Sequence, residues 1–413
     1  MSRRSLWQPG PRPGWVQSLH EVLEPGFIRL DADEMLGEAV RRTGLSDFGG
    51  DSFLEPYRVL VRSVDEEAKL HPLGRVITRS DCLNWLENRL QLAEARKRQP
   101  GIAAERIENP LFITGLPRTG TSILHELLAQ DPASRAPLHW EVRFPCPAPE
   151  AESYESDPRI ERAERQIGLW NQIVPEYTTM HELGARIPVE CVQLTTHEFV
   201  SEEFLGRYQA PSYAAFYAKA DLVPAYRFHR AMLQHLQSRN RRERWVLKAP
   251  SHFPVLDTLF AVYPDARVVI THRDPLKILP SVTSILYSTM WVRSDEVDVE
   301  ALLGWFTGET CAALVERMIA LRESGRVDPK QFYDVRFEDL VKRPIPTLAG
   351  IYDHFGMTFT AEAERRIRDY LARKPKDKHG AHRYEFDHTG FDLVAERERF
   401  RPYRERYGIP SEV

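Results

Sequence analysis

A short apolar run followed by a glycine-rich turn and a helix constrains this chain more than any other segment. Residues 110–114 are apolar enough to form a buried strand, and Gly115 and Gly120 bracket the turn that follows. From residue 122 to 130 the apolar residues recur at helical spacing. The Gly-x4-Gly spacing between a strand and a helix is typical of turns whose backbone N–H groups surround a phosphate, because the helix N-terminus adds a favourable dipole.

Further short apolar runs alternate with helical segments along the rest of the chain. The runs that predict strands are residues 245–248, 267–271 and 332–336. This alternation indicates a parallel sheet covered on both faces, in which ligands bind at the carboxyl ends of the strands. The expected fold class is therefore α/β, a P-loop-like parallel sheet flanked by helices, with an N-terminal helical extension over residues 1–100 and the main domain over 101–413.

The extension ends in a segment whose leucines recur at roughly helical spacing, residues 81–98. Ser80 or Asp81 is available as the N-terminal cap of that helix. The sequence therefore predicts that the helix begins near residue 81.

The glycine turn departs from the usual nucleotide-binding pattern at one position. In nucleotide triphosphatases a lysine follows the second glycine and reaches the β- and γ-phosphates, whereas this chain has Thr121 there. Arg118 supplies a positive charge inside the turn instead. The turn therefore suits a 5′ group that is shorter and less charged than a triphosphate. A P-loop kinase or ATPase remains an alternative, as does a turn that only joins strand to helix.

Residues 112–122, Phe-Ile-Thr-Gly-Leu-Pro-Arg-Thr-Gly-Thr-Ser, closely resemble the 5′-phosphosulfate loop of sulfotransferases that use PAPS (3′-phosphoadenosine-5′-phosphosulfate). The form is similar to that of the bacterial branch and of the tyrosylprotein sulfotransferases. The resemblance implies an enzyme that moves a sulfuryl group from PAPS to an acceptor hydroxyl by in-line displacement. It also implies that the 5′ side of the donor is bound by loop residues, namely Gly115, Arg118, Thr119, Gly120, Thr121 and Ser122.

A second motif extends the resemblance to the 3′-phosphate of the donor. Arg273 ends the 267–271 run within His-Arg-Asp-Pro, and Ser281 follows eight residues later. In the family an arginine and a serine with this spacing bind the 3′-phosphate. A basic loop near the C-terminus looks like the family's late loop that closes over the same phosphate. The residues implied there are Lys378, His379 and Gly380.

The resemblance also names candidates for the chemistry. Lys248 ends the 245–248 run, where a lysine is costly unless it faces a cleft or an ion pair. By the resemblance, Lys248 and Arg118 stabilise charge at the leaving group. The transfer also needs a general base near the acceptor hydroxyl. Glu141 is favoured, because Glu141-Val-Arg143 matches the catalytic Glu-x-Arg of the tyrosylprotein branch after a two-residue insertion. His252 is the alternative, since cytosolic relatives use a histidine soon after the lysine.

Residues 150–240 are rich in predicted helices and in aromatic side chains, among them Trp170, Phe199 and Tyr213. We expect this insertion to build the acceptor pocket, with a packed core as the alternative role for the aromatic residues. The expected acceptor is a hydroxyl on a small molecule, a lipid or a carbohydrate.

Composition argues against several other classes of protein. With 56 Lys and Arg against 60 Asp and Glu, the net charge of −4 argues against a general nucleic-acid binder. Four cysteines without a CxxC pair argue against a disulfide framework or a thiolate metal site, and the displacement scheme demands no metal. No apolar run approaches the ~20 residues that span a bilayer. Because the first residues lack the apolar stretch of a signal peptide, a cytoplasmic protein is expected. A non-catalytic nucleotide-binding protein stays as a further alternative.

Overall fold

The computed structural model describes residues 10–374 and 386–413. Within these ranges the strands are β1 (Leu111–Gly115), β2 (Ser134–Arg135), β3 (Arg244–Lys248), β4 (Arg267–His272) and β5 (Phe332–Arg336). They form one sheet in the order β2-β3-β1-β4-β5, and all neighbouring strands are parallel. The expected α/β fold is confirmed. The short edge strand β2 was not predicted, because two residues carry no recognisable pattern.

Helices precede the sheet and cover it. Before β1 lie α1 (Gly14–Val22), α2 (Ala32–Thr43), α3 (Leu54–Glu67), α4 (Pro72–Arg98) and α5 (Gly101–Ala104). Between β1 and β3 lie α6 (Thr121–Leu128), α7 (His139–Arg143), α8 (Pro158–Ile173), α9 (Tyr177–Met180), α10 (Val192–Thr195), α11 (Glu203–Arg207), α12 (Pro211–Tyr217) and α13 (Val223–Gln237). After β3 lie α14 (Leu256–Val262), α15 (Pro275–Trp291), α16 (Val299–Trp305), α17 (Gly308–Glu323), α18 (Phe337–Lys342), α19 (Pro344–His354), α20 (Ala361–Arg373) and α21 (Leu393–Tyr407). None of the helices in the described ranges combines the length and apolar character needed to cross a bilayer.

The side chains of β1 alternate between the two faces of the sheet, as the two-residue period of a strand requires. Phe112 packs on one face in a cluster with Leu233 of α13 and Leu259 of α14. Leu111 and Ile113 pack on the other face in a cluster with residues of α6 and α19. All five residues of β1 are buried. Because the strand is covered on both faces, its sequence is a continuous apolar run.

Helix α4 begins at Pro72 rather than near residue 81. Its cap is His71, whose Nδ1 accepts a hydrogen bond of 2.9 Å from the backbone N–H of Gly74, and Pro72 occupies the first helical position. The predicted caps, Ser80 and Asp81, therefore lie inside the helix, and that prediction was wrong. The cap was missed because histidine is not among the residues usually found there.

The N-terminal helices share an apolar core with the segment around α11 and α12. One cluster joins Leu60 and Trp85 to Phe199, Phe204 and Tyr213, and the rings of Trp85 and Phe204 meet edge to face at 5.3 Å. Several aromatic residues that the sequence offered for an acceptor pocket are therefore core residues. The boundaries expected at residues 100, 150 and 240 stay predictions.

Candidate active site

The turn between β1 and α6 is a compact loop whose shape depends on two glycines. Gly115 has a φ of 150° and Gly120 a φ of 93°, conformations that residues with a side chain rarely adopt. A Cβ atom at Gly115 would lie 2.5 Å from the backbone oxygen of Thr271, and one at Gly120 would lie 2.8 Å from the ring of Phe337. The glycines therefore let the loop lie directly against β4 and α18.

Threonine hydroxyl groups fix this loop to the sheet. The Thr119 hydroxyl lies 2.7 Å from the Leu116 carbonyl oxygen, to which it donates, and 2.6 Å from the hydroxyl of Thr271 on β4. Thr119 is fully buried. Its side chain therefore supports the loop from within, and any contact of Thr119 with the donor falls to its backbone.

The first turn of α6 leaves backbone donors available. The N–H groups of Gly120, Thr121 and Ser122 have no hydrogen-bond partner among the described residues, as the start of a helix requires. Together with the loop charge of Arg118, whose φ is 66°, they form a cradle for an anion. The loop can therefore hold an anionic group such as a phosphate or a sulfate.

Lys248, at the end of β3, lies beside this cradle. Its Nζ donates a hydrogen bond of 3.1 Å to the hydroxyl of Ser122 and forms an ion pair with Glu190. The Lys248 side chain is 2% exposed and that of Glu190 is 26% exposed. A lysine that is buried this deeply needs a partner, and here the partner is a carboxylate that reaches solvent.

Glu190 was not predicted as a site residue. It reaches Lys248 because the segment that follows it is held to the end of β3: the N–H of Cys191 donates to the carbonyl of Lys248 at 2.8 Å. Glu190 lies 58 residues before Lys248 in a region without a recognised motif. No spacing rule connects two such positions, so the ion pair could not be predicted from the sequence.

Arg118 connects the loop to α9 and α15. Its Nε donates to the hydroxyl of Ser281 at 3.0 Å, and one terminal nitrogen donates to the carbonyl of Met180 at 3.0 Å. The next residue, His181, lies near two cations: burial, followed by the charges of Lys248 and Arg118, lowers the pKa of His181 to about 3. The imidazole is therefore neutral near pH 7 and adds no further positive charge to the site.

Arg273, at the end of β4, lies on the opposite side of the same loop. One of its terminal nitrogens donates to the carbonyl of Arg118 at 3.1 Å, and its guanidinium carbon stands 4.0 Å from the centre of the Phe337 ring. The guanidinium also forms a two-point ion pair with Glu412, at 2.8 and 2.7 Å. Arg273 therefore already holds an anionic group, the carboxylate of Glu412, at the position predicted for the 3′-phosphate.

Ser281 is buried on α15, and its hydroxyl accepts a hydrogen bond from Arg118 of the glycine loop. The structure thus brings Arg118, Ser281 and Arg273 together at one edge of the sheet. The basic loop predicted to cover the 3′-phosphate lies outside the described residues, so its role stays a prediction; its residues are Lys378, His379 and Gly380.

Glu141, the favoured base from the sequence, belongs to a buried network. Its carboxylate pairs with Arg135 at 2.6 Å, accepts from the N–H of Leu138 at 3.0 Å, and accepts from the hydroxyl of Tyr154 at 3.1 Å. The side chain of Glu141 is 0% exposed. The structure does not bring Glu141 to Lys248, and its contacts are those of a carboxylate that stabilises the fold.

His252 lies in the short 3-10 helix that follows β3, Pro250–Val255, and its side chain is buried in the core. Its Nδ1 lies 2.5 Å from the hydroxyl of Tyr226, and its ring packs against Phe112 with 5.1 Å between the ring centres. Burial, then the nearby His229 and Lys248, lowers the pKa of His252 well below its ordinary value. His252 is 2% exposed, and none of its hydrogen bonds or ring contacts within the described residues joins it to Lys248 or to the glycine loop.

A cavity opens between α4, α7 and α8. It has a volume of about 250 Å³. Most of its wall is apolar and includes Leu73, Ile77, Val142, Ile167 and Trp170. Gln193 also lines it and lies one turn from Glu190, since the N–H of Gln193 donates to the carbonyl of Glu190 at 2.9 Å. The cavity therefore comes within one helical turn of Glu190, which is not itself among the residues that line it.

Relatives of known type share this architecture. The crystal structure of sulfotransferase STF1 from Mycobacterium tuberculosis H37Rv superposes with a TM-score of 0.76 at 34% sequence identity, over 90% of this chain and 99% of that one. The crystal structure of sulfotransferase STF9 from Mycobacterium avium superposes with a TM-score of 0.81 at 28% identity, over 93% and 98% of the two chains.

The sequence matches agree with the structural ones. The omega-hydroxy-beta-dihydromenaquinone-9 sulfotransferase Stf3 of Mycobacterium tuberculosis and Mycobacterium bovis is 27% identical over 274 residues, which is 64% of this chain and 66% of that protein. The sulfotransferase family profile matches residues 110–361, a range that contains the loop, Glu190, Lys248 and Arg273. The kinase or ATPase alternative is not favoured by these matches. The chain belongs to the sulfotransferase family.

Proposed function

We propose that this protein transfers the sulfuryl group of PAPS to a hydroxyl of a largely apolar, lipid-like acceptor. The observation that carries the proposal is the position of Lys248 between the Ser122 hydroxyl and the Glu190 carboxylate, at the mouth of an anion cradle. A cation, a helix N-terminus and a carboxylate are the groups that in-line displacement at sulfur needs.

For the donor, the N–H groups of Gly120, Thr121 and Ser122 would hold the 5′ side, with Arg118 adding charge. Arg273 and Ser281 would hold the 3′-phosphate. PAPS supplies the sulfuryl group, and adenosine 3′,5′-bisphosphate leaves. The ion pair of Arg273 with Glu412 must open before the guanidinium can bind a phosphate.

Glu190 is the base that the geometry supports. When negative charge develops on the leaving oxygen, Lys248 can turn from Glu190 toward that oxygen and stabilise it. Glu190, no longer neutralised by the lysine, then takes the proton of the acceptor hydroxyl as the oxygen–sulfur bond forms. The proton of the acceptor thus ends on Glu190, and the negative charge that Glu190 loses is replaced by the one that develops on the leaving oxygen beside Lys248.

The apolar wall of the cavity supports a lipid-like acceptor. Val76 and Leu169, which line the cavity, are 39% and 42% exposed, so the opening itself presents apolar side chains. The relative Stf3 is named for a hydroxylated menaquinone, an acceptor with the same combination of a hydroxyl and a long apolar body.

The test is incubation with ³⁵S-labelled PAPS and a panel of long-chain alcohols, prenols, sterols and sugars. We expect label in the apolar alcohols, and a drop of about 10²- to 10³-fold in kcat for Lys248→Ala. Lys97→Ala is the matched control, because Lys97 is an exposed lysine at the end of α4 that pairs with Asp47. Transfer by Lys248→Ala at the control rate would refute the mechanism. Tight bisphosphate binding without transfer to any acceptor would favour a non-catalytic nucleotide-binding protein.

A second measurement tests the donor site separately. Arg273→Ala should weaken adenosine 3′,5′-bisphosphate binding far more than AMP binding, because the two ligands differ by the 3′-phosphate. Equal losses for both nucleotides in titration calorimetry would contradict the assignment of Arg273.

A further inference from the structure

The wall of the cavity contains a buried cluster of arginines around one carboxylate. Asp81, inside α4, contacts Arg143 at 2.9 Å, Arg207 at 3.1 Å and Arg293 at 3.2 Å. The side chain of Asp81 is 11% exposed and that of Arg293 is 1% exposed. All four residues line the cavity described above.

The positive charges of this cluster outnumber the negative ones. The carboxylates that its three arginines contact within the described residues are Asp81 and Glu203, the latter 2.7 Å from Arg207. Three guanidinium groups against two carboxylates leave a formal charge of +1. Burying an uncompensated charge is costly, and this cost is relieved when an anion enters the cavity.

The donors that such an anion would need are present. In Arg293, Nε and one terminal nitrogen are buried without a hydrogen-bond partner among the described residues, and the indole N–H of Trp170 is in the same condition. The guanidinium carbon of Arg293 stands 5.2 Å from the centre of the Trp170 ring. Buried donors are nearly always satisfied in folded proteins. Two neighbouring side chains that are not satisfied, both in the wall of one cavity, therefore indicate a ligand with acceptor oxygens.

We infer that the acceptor is an amphiphile with a carboxylate in addition to its reacting hydroxyl, and that Arg293 and Trp170 bind this carboxylate. The inference rests on the proposed function and makes it more specific. A carboxylate matches the planar fork of a guanidinium and neutralises the +1 charge of the cluster. The apolar body of the acceptor would contact the remaining wall, including Leu73, Ile77 and Ile167.

The experiment compares an ω-hydroxy fatty acid with the fatty alcohol of equal chain length as acceptors of ³⁵S-sulfuryl. For the wild-type protein we expect kcat/KM to favour the hydroxy acid. In Arg293→Met this preference should fall by about 10- to 100-fold, the usual range for a hydrogen bond to a charged group. Asp81 keeps Arg143 and Arg207 as partners in this variant, so its carboxylate is not left unpaired.

Two further measurements keep the test decisive. Trp170→Phe removes the indole N–H together with part of the ring and leaves Arg293 in place; it should reduce the preference by a few-fold, which provides the answer if Arg293→Met does not fold. Arg79→Met is the matched control, because Arg79 lies on the same helix but pairs with Glu34 and Glu38 at the surface, and it should retain the full preference.

The outcomes separate this inference from the proposed function. Equal kcat/KM for the acid and the alcohol, unchanged by Arg293→Met and by Trp170→Phe, would overturn the inference while sulfuryl transfer stands. Tighter binding of a saturated fatty acid than of the matching alcohol, lost in Arg293→Met, would support the carboxylate site even if no acceptor were sulfated.

Discussion

Two glutamates compete for the role of general base, one favoured by the sequence and the other by the structure. Glu141 has the family-like spacing of a base, whereas Glu190 contacts Lys248. We therefore expect Glu141→Gln to lower stability and Glu190→Gln to lower kcat. Each substitution removes one negative charge and keeps the shape of the side chain.

The expected size follows from burial. The side chains of Arg135 and Glu141 are 3% and 0% exposed, and breaking such a buried pair costs about 3–5 kcal/mol. The glutamine oxygen can still accept from Leu138, which points to the lower end, about 3 kcal/mol. For a chain of 413 residues that corresponds to a decrease in Tm of roughly 3–4 °C. Glu190 is 26% exposed, but its replacement leaves the buried Lys248 without a carboxylate partner, so Glu190→Gln should lower Tm as well, and kcat is the measurement that separates the two variants.

The assay measures thermal unfolding and ³⁵S transfer for both variants, with the activity taken well below either Tm. Glu190→Gln should lose about 10²- to 10⁴-fold in kcat and still bind adenosine 3′,5′-bisphosphate. Glu141→Gln should retain kcat within a few-fold. The opposite pattern, with Glu141→Gln inactive at an unchanged Tm, would refute the assignment of Glu190 and restore the sequence prediction.

Three other predictions concern the pH dependence, the loop and the tail. Burial, then two neighbouring glutamates, raises the pKa of Glu202 from 4.5 to about 7. The folded state thus keeps a proton that the unfolded chain releases, and the stability of the protein falls as pH rises from about 4.5 to 7. Glu202→Gln should therefore flatten the plot of Tm against pH, and parallel plots for the variant and the wild type would contradict this. Gly115→Ala should abolish bisphosphate binding or folding, because a Cβ there would meet a backbone oxygen at 2.5 Å, whereas Gly101→Ala, with nothing within 4 Å of its Cβ, should behave as wild type. Glu412→Gln should tighten bisphosphate binding by roughly 2- to 10-fold, since it weakens the ion pair that occupies Arg273; unchanged affinity in titration calorimetry would show that this pair does not compete with the phosphate.

The sheet and its loop could be predicted because their signals are local. A strand buried on both faces must be apolar throughout, and a loop lying against β4 and α18 must have glycine where a Cβ would collide, as at Gly115 and Gly120. Both requirements appear within a dozen consecutive residues. The signal for Lys248 is local as well, because a charged residue at the end of an apolar run is recognisable from its neighbours alone.

The partners of these residues could not be predicted because they depend on contacts between distant segments. The ion pair of Lys248 with Glu190 exists because an otherwise unremarkable segment is held to the end of β3. Asp81 looked like a helix cap, a role that requires only neighbouring residues, whereas its position is set by three arginines, two of them more than 100 residues away. The charges of the residues in a sequence do not reveal which acidic side chain forms an ion pair with which basic one.

The proposed donor-binding groups and the cavity lie on different elements of the fold, and this arrangement affects how acceptor specificity can change. The groups proposed to hold the donor lie at the ends of β1, β3 and β4, the three adjacent central strands. Much of the cavity wall comes from helices outside the sheet, α4, α7 and α8. Replacing those helices would change the acceptors that fit the cavity and leave the proposed donor-binding residues in place. The fold therefore lets acceptor specificity change independently of donor binding.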